Sequence, residues 1–108
     1  MDQNTIEEGK TIAIISYLTI IGLIIAFIMN NEKKNPFASF HIRQMVGLSL
    51  TAILNSLLIA RISGMLAGII SIVLIVLWAI GLIGAAQGQM KKVPVLGDYF
   101  QDWFKGIG

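Results

Sequence analysis

Three stretches of the chain, residues 11–31, 44–60 and 62–90, contain no Asp, Glu, Lys, Arg or His. They are 21, 17 and 29 residues long and take up 67 of the 108 residues. A helix of about 20 apolar residues crosses a bilayer core, so each stretch is a candidate span. Charged residues make up only 13% of the chain and hydrophobic ones 56%. A soluble chain of this size has too little interior to bury that much apolar surface, and lipid is the expected solvent. The expected fold class is an all-α integral membrane protein with three transmembrane helices and a short C-terminal amphipathic, interfacial helix. One membrane domain covers 1–108, with spans at about 6–29, 37–60 and 63–88 and the interfacial tail at 95–107.

The boundaries follow from local signals. Thr5-Ile6-Glu7-Glu8 has the form of a capping box, in which Thr5 and Glu8 satisfy each other's end of the first turn. Met1 to Glu8 is acidic and no small-residue cleavage site follows the apolar run, so the first span is expected to persist rather than act as a signal peptide. Asn35-Pro36 predicts a second helix, with Asn35 as N-cap and Pro36 at the first helical position. Arg61-Ile62-Ser63-Gly64 is short enough to fold helices two and three into a tight antiparallel hairpin. In the tail, Leu96, Phe100, Trp103 and Ile107 fall on one helical face, with Tyr99 and Trp103 suited to headgroup depth. Three spans put Lys33, Lys34, Arg43, Lys91, Lys92 and Lys105 on one side, and Lys10 and Arg61 on the other. By the positive-inside rule the N-terminus is then outside and the C-terminus cytoplasmic.

The chain has no cysteine and one histidine, so neither a thiolate site nor a histidine-rich metal site is expected, and no cofactor is implied. No Ser–His–acid set, phosphate-binding loop or HExxH motif is present, and the expectation is a non-enzyme. The spans carry no Asp or Glu, which weighs against a proton-coupled small transporter. Along helix two, His41, Gln44, Thr51 and Asn55 share one stripe. Such a stripe must face protein or water, either as interhelical hydrogen bonds or as the lining of a path. Arg43 is placed to snorkel toward anionic headgroups. Small residues spaced by four, Ala60-Gly64-Gly68, Gly81-Ala85 and Gly84-Gly88, mark expected helix contacts.

The run Asn35-Pro36-Phe37-Ala38-Ser39-Phe40-His41-Ile42-Arg43-Gln44, with Tyr17-Leu18 before it and Pro94, Leu96 and Gly97 after it, resembles a family of small bacterial membrane proteins labelled import component proteins. These are distantly similar to the channel-like subunit of the chloroplast inner-envelope protein-import translocon. The resemblance spans about residues 10–107 and is sharpest at Phe40, His41, Arg43 and Gln44, which become the candidate functional, lipid-contact or packing motif. It implies the bacterial inner, cytoplasmic membrane. The expected function is a helper or oligomeric component of a membrane assembly, translocon-like by this resemblance. The alternative is a small channel or transporter with helix two lining the path. Expected partners are the bilayer, anionic lipid headgroups, and a second copy or other membrane proteins, with no nucleic acid.

Overall fold

The computed structural model describes residues 2–107, so Met1 and Gly108, the ends of the expected single domain, lie outside the described residues. Five helices follow one another: α1 (Gln3–Leu18), α2 (Ile20–Lys33), α3 (Pro36–Ile62), α4 (Gly64–Ala86) and α5 (Gly97–Trp103). No strand occurs among the described residues.

The expected first span, 6–29, is broken. Thr19 is fully extended at φ −157° and ψ 175° between α1 and α2, and the chain turns back there. Thr5 O accepts from Asn35 Nδ2 at 2.9 Å, so the hairpin enters and leaves at the same end of the molecule. With 16 and 14 residues, its arms are only ~24 and ~21 Å long at 1.5 Å per residue. Its apex, Thr19, lies at the level of Met45, Leu48 and Ser49, about halfway along α3. The three expected spans are therefore replaced by two candidate spans, α3 with 27 residues and α4 with 23, beside a hairpin that reaches about half the length of α3.

A chain break inside an apolar layer leaves backbone groups without water, so each must find a partner in the protein. At the start of α2, Thr19 Oγ1 accepts from Gly22 N at 3.0 Å. At the end of α1, the Trp78 indole of α4 donates to Tyr17 O at 2.6 Å. Gly22 lets the arms close up, because a Cβ there would strike Ile15 O. These three residues account for the turn.

The return into α3 follows the expected signals. Asn35 caps α3 by accepting from Ala38 N at 3.1 Å, with Pro36 in the first turn. Asn30, fully buried, accepts from Asn35 N and donates to Ser39 Oγ, both at 2.8 Å. α1 starts differently from the expected capping box. Its N-cap is Asp2, which accepts from Thr5 N at 2.8 Å, so Thr5 lies inside the first turn. That N–H is the main reason the Asp2 carboxyl is held below its ordinary range.

α3 runs unbroken to Ile62 but widens into one π-helical turn at Asn55–Ile59. Ser63 then reverses the chain in a single extended residue and caps α4 by accepting from Leu66 N at 3.2 Å. The tight hairpin of helices two and three is thus present. The core, built from Ile12, Ala13, Tyr17, Phe37, Ala38 and Ile42 with Leu77 and Ala85, sits where α1 packs on α3 and α4. Beyond the hairpin apex α3 and α4 continue alone, and Leu57, Leu58, Ile62, Met65 and Ile72 are open. Such a surface is stable in lipid and unstable in water.

The tail is also corrected. It is a seven-residue helix docked on α3 rather than lying free along an interface. Of the expected apolar face, Phe100 is buried against Gly47, where any Cβ would strike its ring, while Trp103 is exposed. Val95, just before it, is held at φ 68°, an unfavourable backbone for a β-branched residue.

Candidate functional site

At the charged end of the bundle, α1, α3 and the segment after α4 meet on one buried chain of hydrogen bonds. Gln44 Nε2 donates to Tyr17 OH at 2.8 Å, and Tyr17 OH contacts His41 Nδ1 at 2.7 Å. His41 Nε2 reaches Gln89 O at 2.8 Å. A carbonyl only accepts, so His41 Nε2 carries the proton there. In a neutral imidazole Nδ1 is then the acceptor and Tyr17 donates to it. Gln44 closes the set, donating also to Lys91 O at 3.1 Å and accepting from Val93 N at 2.9 Å. Tyr17, Phe37 and Phe40 pack edge-on around the imidazole at centroid distances of 5.4, 4.8 and 4.9 Å.

Local sequence explains why these groups converge. His41 and Gln44 lie three residues apart on one face of α3. Tyr17 sits in the last turn of α1, which runs parallel to α3. Gly81 of α4 provides the room: a Cβ there would lie 2.8 Å from Tyr17 Oη and 3.0 Å from Gln44 Nε2. In the sequence Tyr17 is marked only by the resemblance, since a tyrosine in an apolar run carries no signal of its partner 24 residues on.

The rest of the motif holds the tail. Arg43 Nε donates to Ile107 O at 2.9 Å and Nη2 to Lys105 O at 3.0 Å. This corrects the expected snorkelling role, because the guanidinium is engaged by backbone carbonyls 64 and 62 residues away. Phe40 contributes its carbonyl, which accepts from Gln101 Nε2 at 2.8 Å. Lys92 and Asp98 form an exposed ion pair at 2.6 Å.

Deeper in the bundle, Asn55 Nδ2 bridges to α4 at Ala67 O and Ser71 Oγ, 3.0 and 3.1 Å away. Thr51 donates to Gly47 O of its own helix at 2.8 Å. Three of the four stripe residues therefore bond across to other segments, and the fourth bonds back along α3. Ser49 Oγ and Asn55 Oδ1 are buried without a hydrogen-bond partner among the described residues.

The small-residue expectation holds for only part of the set. A Cβ at Gly64 or Gly68 would meet nothing within 4 Å, so neither is a helix contact within the chain. Gly84 faces Lys91 Cβ at 3.0 Å, and Gly88, at φ +74°, faces Ile6. Both therefore serve the turn after α4. Gly81 of the expected Gly81-Ala85 pair is a close approach, and the tighter ones at Gly9, Gly22, Gly47 and Gly97 lie outside the four-residue sets.

The hairpin also redistributes the charges. Lys10 lies within 4 Å of the Gly88 position, so it shares the end that holds Lys33, Lys34, Arg43, Lys91, Lys92 and Lys105. All six acids are at this end too, and Arg61 is the only charged residue between 44 and 90. Both described chain ends lie at the charged end, which overturns the expected placement of N- and C-termini at opposite ends. No group of three or more His, Cys, Asp or Glu side chains able to hold a metal occurs among the described residues.

Two comparisons bear on these features. A family model, described as the magnetosome magnetite crystal formation protein family (MamF/MmsF), matches residues 8–100. The chain belongs to this family. It is also 33% identical over 90 residues to a UPF0132 membrane protein of Methanocaldococcus jannaschii, covering 80% of this chain and 61% of that protein. The chain thus spans less than two thirds of that relative's length. No solved structure matches the chain. With two helices long and apolar enough to cross a bilayer, this MamF/MmsF-family chain is a small helical membrane protein.

Proposed function

We propose that the chain is a non-catalytic scaffold of the bacterial cytoplasmic membrane, a helper or component of a larger membrane assembly. One observation carries this reading: each polar residue of the α3 stripe bonds within the chain, Asn55 through its Nδ2 alone. His41, Gln44 and Asn55 tie α1, α4 and the post-α4 segment to α3, leaving no continuous polar row for a permeant. The outer faces of α3 and α4 stay apolar along their length, which suits lateral contact with lipid and with other membrane helices.

Seven of the eight cations share the hairpin end, with Arg61 alone at the other. By the positive-inside rule that end is cytoplasmic, and both described chain ends lie there. The family's description concerns magnetite crystal formation, and that role is not extended to this chain. Binding of anionic lipid by Lys33, Lys34, Lys91 and Lys92 remains part of the reading, whereas Arg43 serves the tail.

Reconstitution separates scaffold from channel. Purified protein in liposomes is expected to give ion and solute flux no greater than empty liposomes. A photoreactive residue in place of Ile72, on the open face of α4, is expected to trap a recurring protein partner in native membranes. Robust flux, or adducts with lipid alone, would overturn the scaffold reading.

A further inference from the structure

Below the apex of the α1–α2 hairpin, where the third wall of the bundle stops, α3 and α4 enclose a groove of about 640 Å³. Thr19 forms its roof, Met45, Leu48 and Leu57 one wall, and Leu74 and Trp78 the other. We propose that this groove binds one acyl chain of an anionic phospholipid from the leaflet at the Arg61 end, with the lipid phosphate paired to Arg61.

Length, polarity and charge agree on this occupant. From Met45 to Leu57 the α3 wall is ~18 Å long at 1.5 Å per residue, close to the ~15 Å that one leaflet contributes to a bilayer core of ~30 Å. A chain entering from the leaflet surface therefore ends at the hairpin apex, near mid-membrane. The lining is mostly apolar, with Ser49 and Ser56 adding hydroxyls and Ser49 Oγ without a hydrogen-bond partner among the described residues. Thr19 Oγ1 is occupied by Gly22 N, and Ser71 Oγ donates to Ala67 O at 2.9 Å. Arg61 follows Leu57 by four residues, one turn further toward that surface, and is exposed. It is the only charge on the two spans beyond Arg43, and its long side chain can snorkel to phosphate depth. One basic residue near a membrane surface contributes ~1 kcal/mol toward anionic lipid, which is about a fivefold selectivity.

The chain's two tryptophans make the site measurable. Trp103→Phe, on the exposed tail, leaves Trp78 in the groove as sole reporter. The protein is reconstituted in phosphatidylcholine with a minor fraction of lipid brominated in mid-chain, carrying either a phosphatidylglycerol or a phosphatidylcholine headgroup. Brominated phosphatidylglycerol is expected to quench Trp78 at about one fifth of the mole fraction that brominated phosphatidylcholine requires. Arg61→Gln should remove that difference, and Ala52→Phe, which fills the groove, should reduce quenching by both lipids. Unchanged circular dichroism of each variant serves as the folding control. Equal quenching by the two lipids in the Arg61 protein would mean ordinary annular contact and overturn the proposal. So would a difference that survives Arg61→Gln.

Discussion

Replacing Gln44 by Leu tests whether the buried network holds the hairpin and the post-α4 segment to α3. Gln44 is fully buried and uses both ends of its amide: Nε2 on Tyr17 OH and Lys91 O, Oε1 on Val93 N. Interhelical polar contacts in membranes average only ~0.6 kcal/mol each, which for three bonds suggests about 2. A buried group left without a partner costs ~1–3 kcal/mol, and Val93 N–H is such a group once Oε1 is gone. Lys91 is exposed and can turn its carbonyl to water, while Leu recovers ~1 kcal/mol through apolar contact. The expected loss is therefore ~2–3 kcal/mol. Thr51→Val is the control. Its hydroxyl bonds only to Gly47 O of the same helix, so its loss should stay within ~0.5 kcal/mol. Equilibrium unfolding in mixed detergent micelles, followed by circular dichroism, measures both. A double cycle with Tyr17→Phe should show coupling of ~0.5 kcal/mol or more. If Gln44→Leu costs no more than Thr51→Val, the network is incidental and the reasoning fails.

Further outcomes follow from other contacts. Gly47→Leu should expel Phe100 and release the tail, seen as rapid hydrogen exchange over residues 97–107 with α3 and α4 still protected. Arg43→Ala should loosen the same residues by about 2 kcal/mol, since it removes two partly exposed hydrogen bonds from a charged group, and leave global unfolding nearly unchanged. Trp78→Phe removes the donor to Tyr17 O and should cost ~1–3 kcal/mol, with faster exchange near Thr19. Because the Asp2 carboxyl is lowered by the Thr5 N–H, its capping effect is complete above the ordinary carboxylate pKa. It should disappear as pH falls through the lowered value, and Thr5 amide exchange measured against pH reports the loss. Asp2→Asn, which caps without a charge, should flatten that profile.

Much of α3 and α4 was legible from sequence because the signals that bound them are local. Asn35-Pro36 starts one helix, Ser63-Gly64 starts the next, and charge-free runs lie between. The inward direction of His41 and Gln44 was legible for a similar reason, since three-residue spacing on a helix fixes a shared face. The break at Thr19 was not. Hydropathy over residues 11–31 is the same whether the chain crosses the bilayer or turns back halfway. The turn depends on Trp78, 61 residues from the Tyr17 carbonyl it caps, and on Gly22 to admit the second arm. Likewise Arg43 looked like a lipid anchor because its position near a helix start is local, while its carbonyl partners lie at the far end of the chain. Glycine spacing misled in the other direction. Gly64 and Gly68 have the packing pattern but face open space, whereas Gly47, outside the marked sets, lies where the Phe100 ring must pass.

A half-depth hairpin and two spans would bring both described chain ends to one side of the membrane. The chain has no cysteine, so single cysteines can replace Gln3, Ile62 and Gln101 without background, and an impermeant thiol reagent can be applied to intact cells and to inverted membrane vesicles. With both described chain ends cytoplasmic, the cysteines at 3 and 101 should react only in inverted vesicles and the one at 62 only in intact cells. Reaction of the cysteines at 3 and 101 from opposite sides would restore a third span and contradict this arrangement.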